Sequence, residues 1–327
     1  MTEFLLALSG VHARSEATIR VTQDWERRRV DSRTLAKSFR EDCESLLALQ
    51  KRVGVDHFSD GQMGLPWQDF LRPITDGFGG LRKGPLVRWF NTNTFYYVPI
   101  VDGDLTSEGR ALWRSVERTL VRRGSPFKVI VPDPLTFCEL AEDRHYGNFD
   151  KLLFVYAEAL NTELRFLEGR GVGYVQLSSP SLTARFRKEP ISRDALIQLG
   201  EALRSALRGV SLRSGFHTYF GDASSYLPFI FDAIPTQDIG FDFTQTDPSS
   251  LSKTGKGLIA GIVDSRSTWA EDVGKLRREV EEIADKTGSP SIILAPSSDL
   301  RYIPRASADE KLGKLGRVKK ELRGGAD

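Results

Sequence analysis

Two stretches carry residues whose types and spacing could do chemistry. Ser214-Gly-Phe-His-Thr-Tyr-Phe-Gly-Asp222 and Asp238-Ile-Gly-Phe-Asp-Phe243 are apolar runs broken by polar residues toward their C-terminal ends. Parallel strands that deliver side chains to a site read in this way. His217 and Asp242 would then stand on neighbouring strands. There they could ligate a metal, form an acid–base pair, or hydrogen-bond as a purely structural pair. Zinc needs three or four N, S or O ligands. The two cysteines, Cys43 and Cys138, lie far apart, in no paired motif and at no strand end, so soft ligands are missing. No Gly-x-Ser-x-Gly elbow is present, which argues against a serine hydrolase.

In a parallel barrel the site forms from the C-terminal strand ends and the loops that follow them. Those ends read Arg14, Asp60, Asp133, Gln176, Ser178, His217, Tyr219, Asp242, Asp264, Arg266, Ser297 and Ser298. The segment 89–99 adds Asn91, Asn93 and Tyr97 as ligand-binding candidates if it folds over the strand ends. Arg14 and Arg266 could bind an anionic tail, though Arg14 reads equally well as surface charge. Ser297-Ser298-Asp299 could hold an anion on backbone N–H groups or cap a turn.

The elements that must position these residues alternate. Strands are expected at 4–9, 55–62, 128–132, 173–177, 212–219, 239–243, 257–263 and 291–294. Helices are expected at 19–26, at about 107–123, and at 148–168, 192–207, 224–233, 270–286 and 308–322, with a long one capped by Asp31 or Ser32. Eight strands alternating with helices predict one α/β domain over residues 1–327, a single (β/α)8 TIM barrel. A long insertion after the second strand, residues 63–127, would fold over the strand C-terminal ends. Its Gly77-Phe-Gly-Gly80 lacks the Lys and the strand-to-helix context of a phosphate loop and reads as a flexible turn.

Composition narrows the partners. Lys plus Arg is 46 and Asp plus Glu is 44 in 327 residues, a balance of +2. A nucleic-acid-binding chain is normally more basic, so no nucleic-acid partner is expected. No apolar run reaches the ~18 residues of a membrane span, and the apolar start lacks a basic leader region. A reducing cytoplasm is the expected compartment.

Several stretches resemble the cobalamin-independent methionine synthase family, specifically its non-catalytic N-terminal barrel. They are Trp89-Phe-Asn-Thr-Asn-Thr-Phe-Tyr-Tyr-Val-Pro99, Thr218-Tyr-Phe-Gly-Asp222, Ile239-Gly-Phe-Asp-Phe243, Ala260-Gly-Ile-Val-Asp-Ser-Arg-Ser-Thr-Trp269 and Ala295-Pro-Ser-Ser-Asp-Leu300. The opening Gly10-Val-His-Ala-Arg-Ser-Glu16 is closer to the short archaeal-type members.

The resemblance implies methyl transfer from a folate-type (pterin) donor to homocysteine, with zinc activating the homocysteine thiolate in the family's catalytic barrel. That barrel holds zinc with a His-x-Cys pair, a Glu and a late Cys. The corresponding positions here are His217, Tyr219, Asp242 and Ser298. An acidic pair that receives the homocysteine amine is replaced by Ser178 and Ser179, and a later His falls near Arg266. The resemblance therefore implies a degraded zinc site, no bound cofactor, and a homologous catalytic barrel as partner. The alternatives are a self-sufficient methyltransferase with an altered or metal-free site, and a structural partner with a vestigial pocket.

Overall fold

The computed structural model describes residues 2–65, 68–117, 121, 127–184 and 190–324. Among the described residues ten strands are formed: β1 (Glu3–Leu6), β2 (Gly79–Arg88), β3 (Phe95–Thr106), β4 (Lys128–Pro132), β5 (Glu142–Asp143), β6 (Tyr174–Ser178), β7 (Arg213–Thr218), β8 (Asp238–Asp242), β9 (Gly257–Val263) and β10 (Ser291–Pro296). Seven of them make a curled parallel sheet in the order β1-β10-β9-β8-β7-β6-β4. Strands β4, β6, β8, β9 and β10 are buried throughout, which is why they read as near-continuous apolar runs.

Helices cover the outside of the sheet, and short polar residues start them. Asp31 accepts the Thr34 N–H at 2.8 Å and begins the helix Ser32–Val53. Asn148, Ser192 and Asp272 do the same for Phe149–Gly169, Arg193–Ala206 and Val273–Thr287. Cys43 lies on the buried face of its helix beside Leu46 and Leu49, and burial pushes its thiol far up. Among the described residues no helix is long and apolar enough to cross a membrane.

One expected strand is corrected. Segment 55–62 forms a single bridge, Ala7 with His57, and scattered backbone bonds: Asp56 N–H to the Leu6 carbonyl at 2.9 Å, Lys128 N–H to the Phe58 carbonyl at 2.6 Å and His12 N–H to the Gly61 carbonyl at 3.0 Å. Side chains replace the missing ladder. Asp56 accepts the Leu6 N–H at 2.7 Å and is held by Lys319 at 2.6 Å. Gln50 ties the Ser59 backbone in both directions, at 2.7 and 3.0 Å. The segment therefore spans the gap between β1 and β4 without becoming a strand, and the sheet has seven strands.

The long connection holds more structure than expected. β2 and β3 pair as an antiparallel hairpin, with β5 parallel to β3. Gly77 ends the short helix Arg72–Gly77 and Gly79 and Gly80 begin β2, so the expected flexible turn is a helix-to-strand junction. Gly80 has φ +76, and a Cβ there would lie 2.4 Å from the Asp104 carbonyl oxygen, so the close pairing with β3 requires glycine. The helix expected over 107–123 is Ala111–Ser115; most of the expected stretch after 117 lies outside the described residues. A second apolar cluster joins Phe70, Trp89 and Tyr96 to Val11, Ile130, Tyr219 and Phe220. That cluster packs the hairpin against the C-terminal end of the sheet.

Candidate functional site

The site is built in three levels. At the bottom, inside the curl, lie Lys128, Tyr174, Asp238 and Arg213. Asp238 accepts from Tyr174 at 2.9 Å and from both Arg213 donors at 2.8 Å. The fully buried Lys128 ammonium donates to the Leu8 carbonyl at 2.7 Å, 5.2 Å from the Tyr174 ring. Burial lowers it to about 7, with only partial relief from Asp238.

The middle level holds His217 and the serines. Gln176 donates to the Ser9 carbonyl at 2.6 Å and to Ser178 Oγ at 3.1 Å, and its Nε2 lies 3.5 Å from His217 Nδ1. Burial, with the nearby Lys128 charge, lowers His217 to about 3, so the imidazole is neutral at physiological pH. The Tyr219 ring lies 5.3 Å from that of His217. Ser298 Oγ meets Ser265 Oγ at 2.5 Å, and Ser297 Oγ is 3.1 Å from the same oxygen. These hydroxyls satisfy one another.

The top level is a cavity of about 320 Å³ under the hairpin tip. Arg88, Phe90, Asn91 and Thr92 line it from the hairpin, and Leu140, Ala184, Phe220 and Arg266 from the sheet side. Phe90 and Phe220 approach to 5.5 Å between ring centroids. The Arg266 guanidinium lies 5.7 Å from the Phe220 ring. Both aromatic residues have positive φ, +45 at Phe90 and +76 at Phe220. Non-glycine residues are held there only when their surroundings over-determine them, and such strain gathers at ligand sites. The cavity therefore offers two guanidinium groups, two mutually packed rings and one amide.

The expected site residues fall into different places. Asn91 and Arg266 line the cavity. His217 and Asp242 make no pair. Asp242 instead accepts from Thr244 N and Oγ1 at 3.0 and 2.5 Å and from Phe220 N at 3.4 Å. Burial raises Asp242 to about 6, offset by Thr244 and the Arg266 charge. Ser178 and Tyr219 belong to the His217 level.

Arg14 is spent internally. It donates to the Met63 and Leu65 carbonyls at 2.6 and 2.5 Å and lies 4.5 Å from the Phe39 ring, so it is no free anion binder. Asp60 caps the N–H groups of Gln62 and Glu117, both at 2.9 Å. Asp133 starts the helix Pro134–Leu140 and accepts from Ser179 at 2.9 Å. Tyr97 faces Lys83 and Arg72, at 4.3 and 5.6 Å, rather than the cavity. Asn93 is exposed and does not line the cavity. Asp264 lines a separate cleft beside the helix Val273–Thr287.

Sequence reasoning missed Arg88, Phe90, Phe220 and Lys128 as site residues. Arg88 and Phe90 flank a tryptophan at a hairpin tip, and the hairpin was the signal that could have pointed to them. The positive φ of the two phenylalanines leaves no mark in the sequence.

The donor set does not fit zinc. Among the described residues no three His, Cys, Asp or Glu side chains come together to hold a metal ion. Tyr219, Asp242 and Ser298 are engaged elsewhere, and both cysteines are buried in helices.

A curled parallel sheet with helices outside it is the fold of B12-independent methionine synthases. The structure aligns with such an enzyme from Shewanella in complex with selenomethionine at a TM-score of 0.69 and 17% identity, covering 90% of this chain and 91% of that one. A putative B12-independent methionine synthase from Listeria monocytogenes aligns at 0.69 and 14% identity, covering 98% of each chain. The family described as "Cobalamin-independent synthase, N-terminal domain" matches residues 74–288.

The chain belongs to that family. Its relatives include 5-methyltetrahydropteroyltriglutamate–homocysteine methyltransferases. That of Listeria monocytogenes is 26% identical over 267 residues, 74% of this chain and 34% of the relative. That of Bacillus velezensis is 26% identical over 313 residues, 83% of this chain and 39% of the relative. The chain thus spans little more than a third of the length of these curated relatives.

Proposed function

We propose that this chain takes part in methyl transfer from a folate-type (pterin) donor to homocysteine as the N-terminal-type barrel. A homologous zinc-bearing barrel would supply the catalytic site. The cavity under the hairpin tip carries the reading. Two guanidinium groups and an aromatic wall of two packed rings suit a flat, carboxylate-bearing ligand. In this reading Phe90 and Phe220 form one apolar wall against which the pterin lies, and Arg88 and Arg266 take its carboxylate tail. Asn91 supplies an amide to the ring edge.

In the same reading residues 1–327 act as one (β/α)8-type unit. The bridged segment 55–62 stands in for the eighth strand, and 63–127 roofs the site. The mismatch between the donors around His217 and zinc supports assigning thiolate activation to another barrel.

The test is methionine formation from 5-methyltetrahydropteroyltriglutamate and homocysteine, at defined zinc, with and without a homologous catalytic barrel. Turnover is expected only with both. Robust turnover by this chain alone, abolished by His217→Ala, would overturn the reading in favour of a self-sufficient enzyme.

A further inference from the structure

The apolar packing of the cavity's roof surrounds a buried polar cluster. Asp299 accepts the Val11 N–H at 2.9 Å and the Tyr302 hydroxyl at 2.8 Å. Its close approach needs Gly10, where a Cβ would sit 1.7 Å from Asp299 Oδ1. The same carboxylate faces Arg301 at 3.0 Å, and the Arg301 side chain is 1% exposed. Arg301 donates to the Gln68 carbonyl, and its backbone N–H to that of Val11 at 3.1 Å. Its guanidinium lies 5.6 Å from the ring of Trp89. Trp89 is fully buried and meets Phe90 edge-on at 4.9 Å between centroids. Phe90 is in turn the residue held at φ +45 against Phe220.

We infer that Arg301 is a positioning residue for the cavity. It clamps Trp89, and through Trp89 it holds the hairpin tip so that Phe90 and Arg88 face Phe220 and Arg266. The argument is geometric. One cation joins the loop after β1, the segment before β2, the hairpin and the loop after β10. None of these segments is tied to the others there by a β-ladder. A planar guanidinium can stack on an indole while donating in its own plane, and a lysine ammonium cannot. Burial works against the charge, but Asp299 and Tyr302 more than offset it and hold Arg301 above its ordinary range. The clamp therefore stays ionised at every pH the protein meets. In consequence the Phe90–Phe220 wall of the cavity is preorganised, and its placement depends on a residue that lines none of it.

The inference rests on the carrier-binding reading for its functional part only. Arg301→Met alone leaves Asp299 buried and uncompensated, which can unfold the chain. The decisive variant is Arg301→Met combined with Asp299→Asn, with Arg301→Lys beside it. Two readouts are taken on the full chain: amide exchange across 88–95 and across β9, and the Kd for 5-methyltetrahydropteroyltriglutamate. The expected result is exchange at 88–95 faster by about tenfold or more, unchanged protection in β9, and a Kd raised by about tenfold. Arg301→Lys should fall between, since it keeps the charge near Trp89 but loses the planar, forked donor set. Unchanged exchange at 88–95, equal loosening of 88–95 and β9, or faster exchange with an unaltered Kd would each overturn the clamp. If the wild-type chain binds no carrier, the carrier reading fails. The exchange measurement then still upholds or overturns the fastening of the hairpin by Arg301.

Discussion

Lys128→Met should stabilise the protein near neutral pH and remove a pH dependence that the wild type shows. Lys128 is fully buried and lowered from an ordinary 10.5 to about 7, chiefly by loss of hydration. Its folded pKa lies below its unfolded one. Between those values the unfolded chain holds a proton that the folded chain has released. Stability therefore rises with pH through that window, and the full penalty is present below it. At ~1.4 kcal/mol per pH unit, the whole displacement is worth on the order of 5 kcal/mol. Between about pH 6.5 and 9.5 the wild type should gain roughly 3 kcal/mol relative to the variant. Methionine forfeits the bond to the Leu8 carbonyl, at a cost of about 1–2 kcal/mol. The net advantage of the variant near pH 6.5 is then a few kcal/mol, and it shrinks as pH rises. Urea unfolding of both proteins at several pH values above 6.5 measures the difference; His217 and His57, which feel the Lys128 charge, are held neutral by burial in the folded chain there. A difference independent of pH, or a variant less stable at every pH, would refute the reasoning.

Three further outcomes follow from the same geometry. His217 is lowered from 6.5 to about 3, so the unfolded chain binds its proton first; stability should fall as pH drops from about 6.5 toward 3, and His217→Asn should flatten that acid limb in a denaturation series. Zinc added in equimolar amount should leave the melting temperature within about 1 °C, because a ligand that binds the folded state must raise it; a clear rise lost in His217→Ala would contradict the donor analysis. Phe220→Gly should be more stable than Phe220→Ala in urea unfolding by several tenths to about 1 kcal/mol, since both lose the ring but glycine accepts φ +76; equal stability would mean that the strain is not stored there.

Much of the fold was legible because burial on both faces writes itself into sequence. β6 to β10 are apolar runs ended by polar residues, and short capping residues mark the helices between them. Segment 55–62 failed for a local reason. Its Asp56 accepts from the Leu6 N–H and Lys319, its Ser59 backbone is held by Gln50, and side-chain bonding of that kind is invisible in a hydrophobic pattern. The hairpin failed because β2 is half-exposed and begins on two glycines. Asn91 and Arg266 were readable as cavity residues because they stand at a strand end and a loop tip. Arg14 misled because an arginine after a strand reads the same whether it meets ligand or backbone carbonyls. His217 and Asp242 were rightly placed at neighbouring strand ends. Whether their side chains meet depends on rotamers and on Thr244, which competes for the carboxylate.

The most direct measurement is a calorimetric titration of the full chain with 5-methyltetrahydropteroyltriglutamate. The account predicts one site per chain, no requirement for zinc, and affinity weakened about tenfold or more by Arg266→Ala. Phe220→Ala should weaken it comparably, and Asn93→Ala should leave it unchanged. No binding at millimolar ligand, or binding indifferent to Arg266 and Phe220, would contradict the assignment of the cavity as the carrier site.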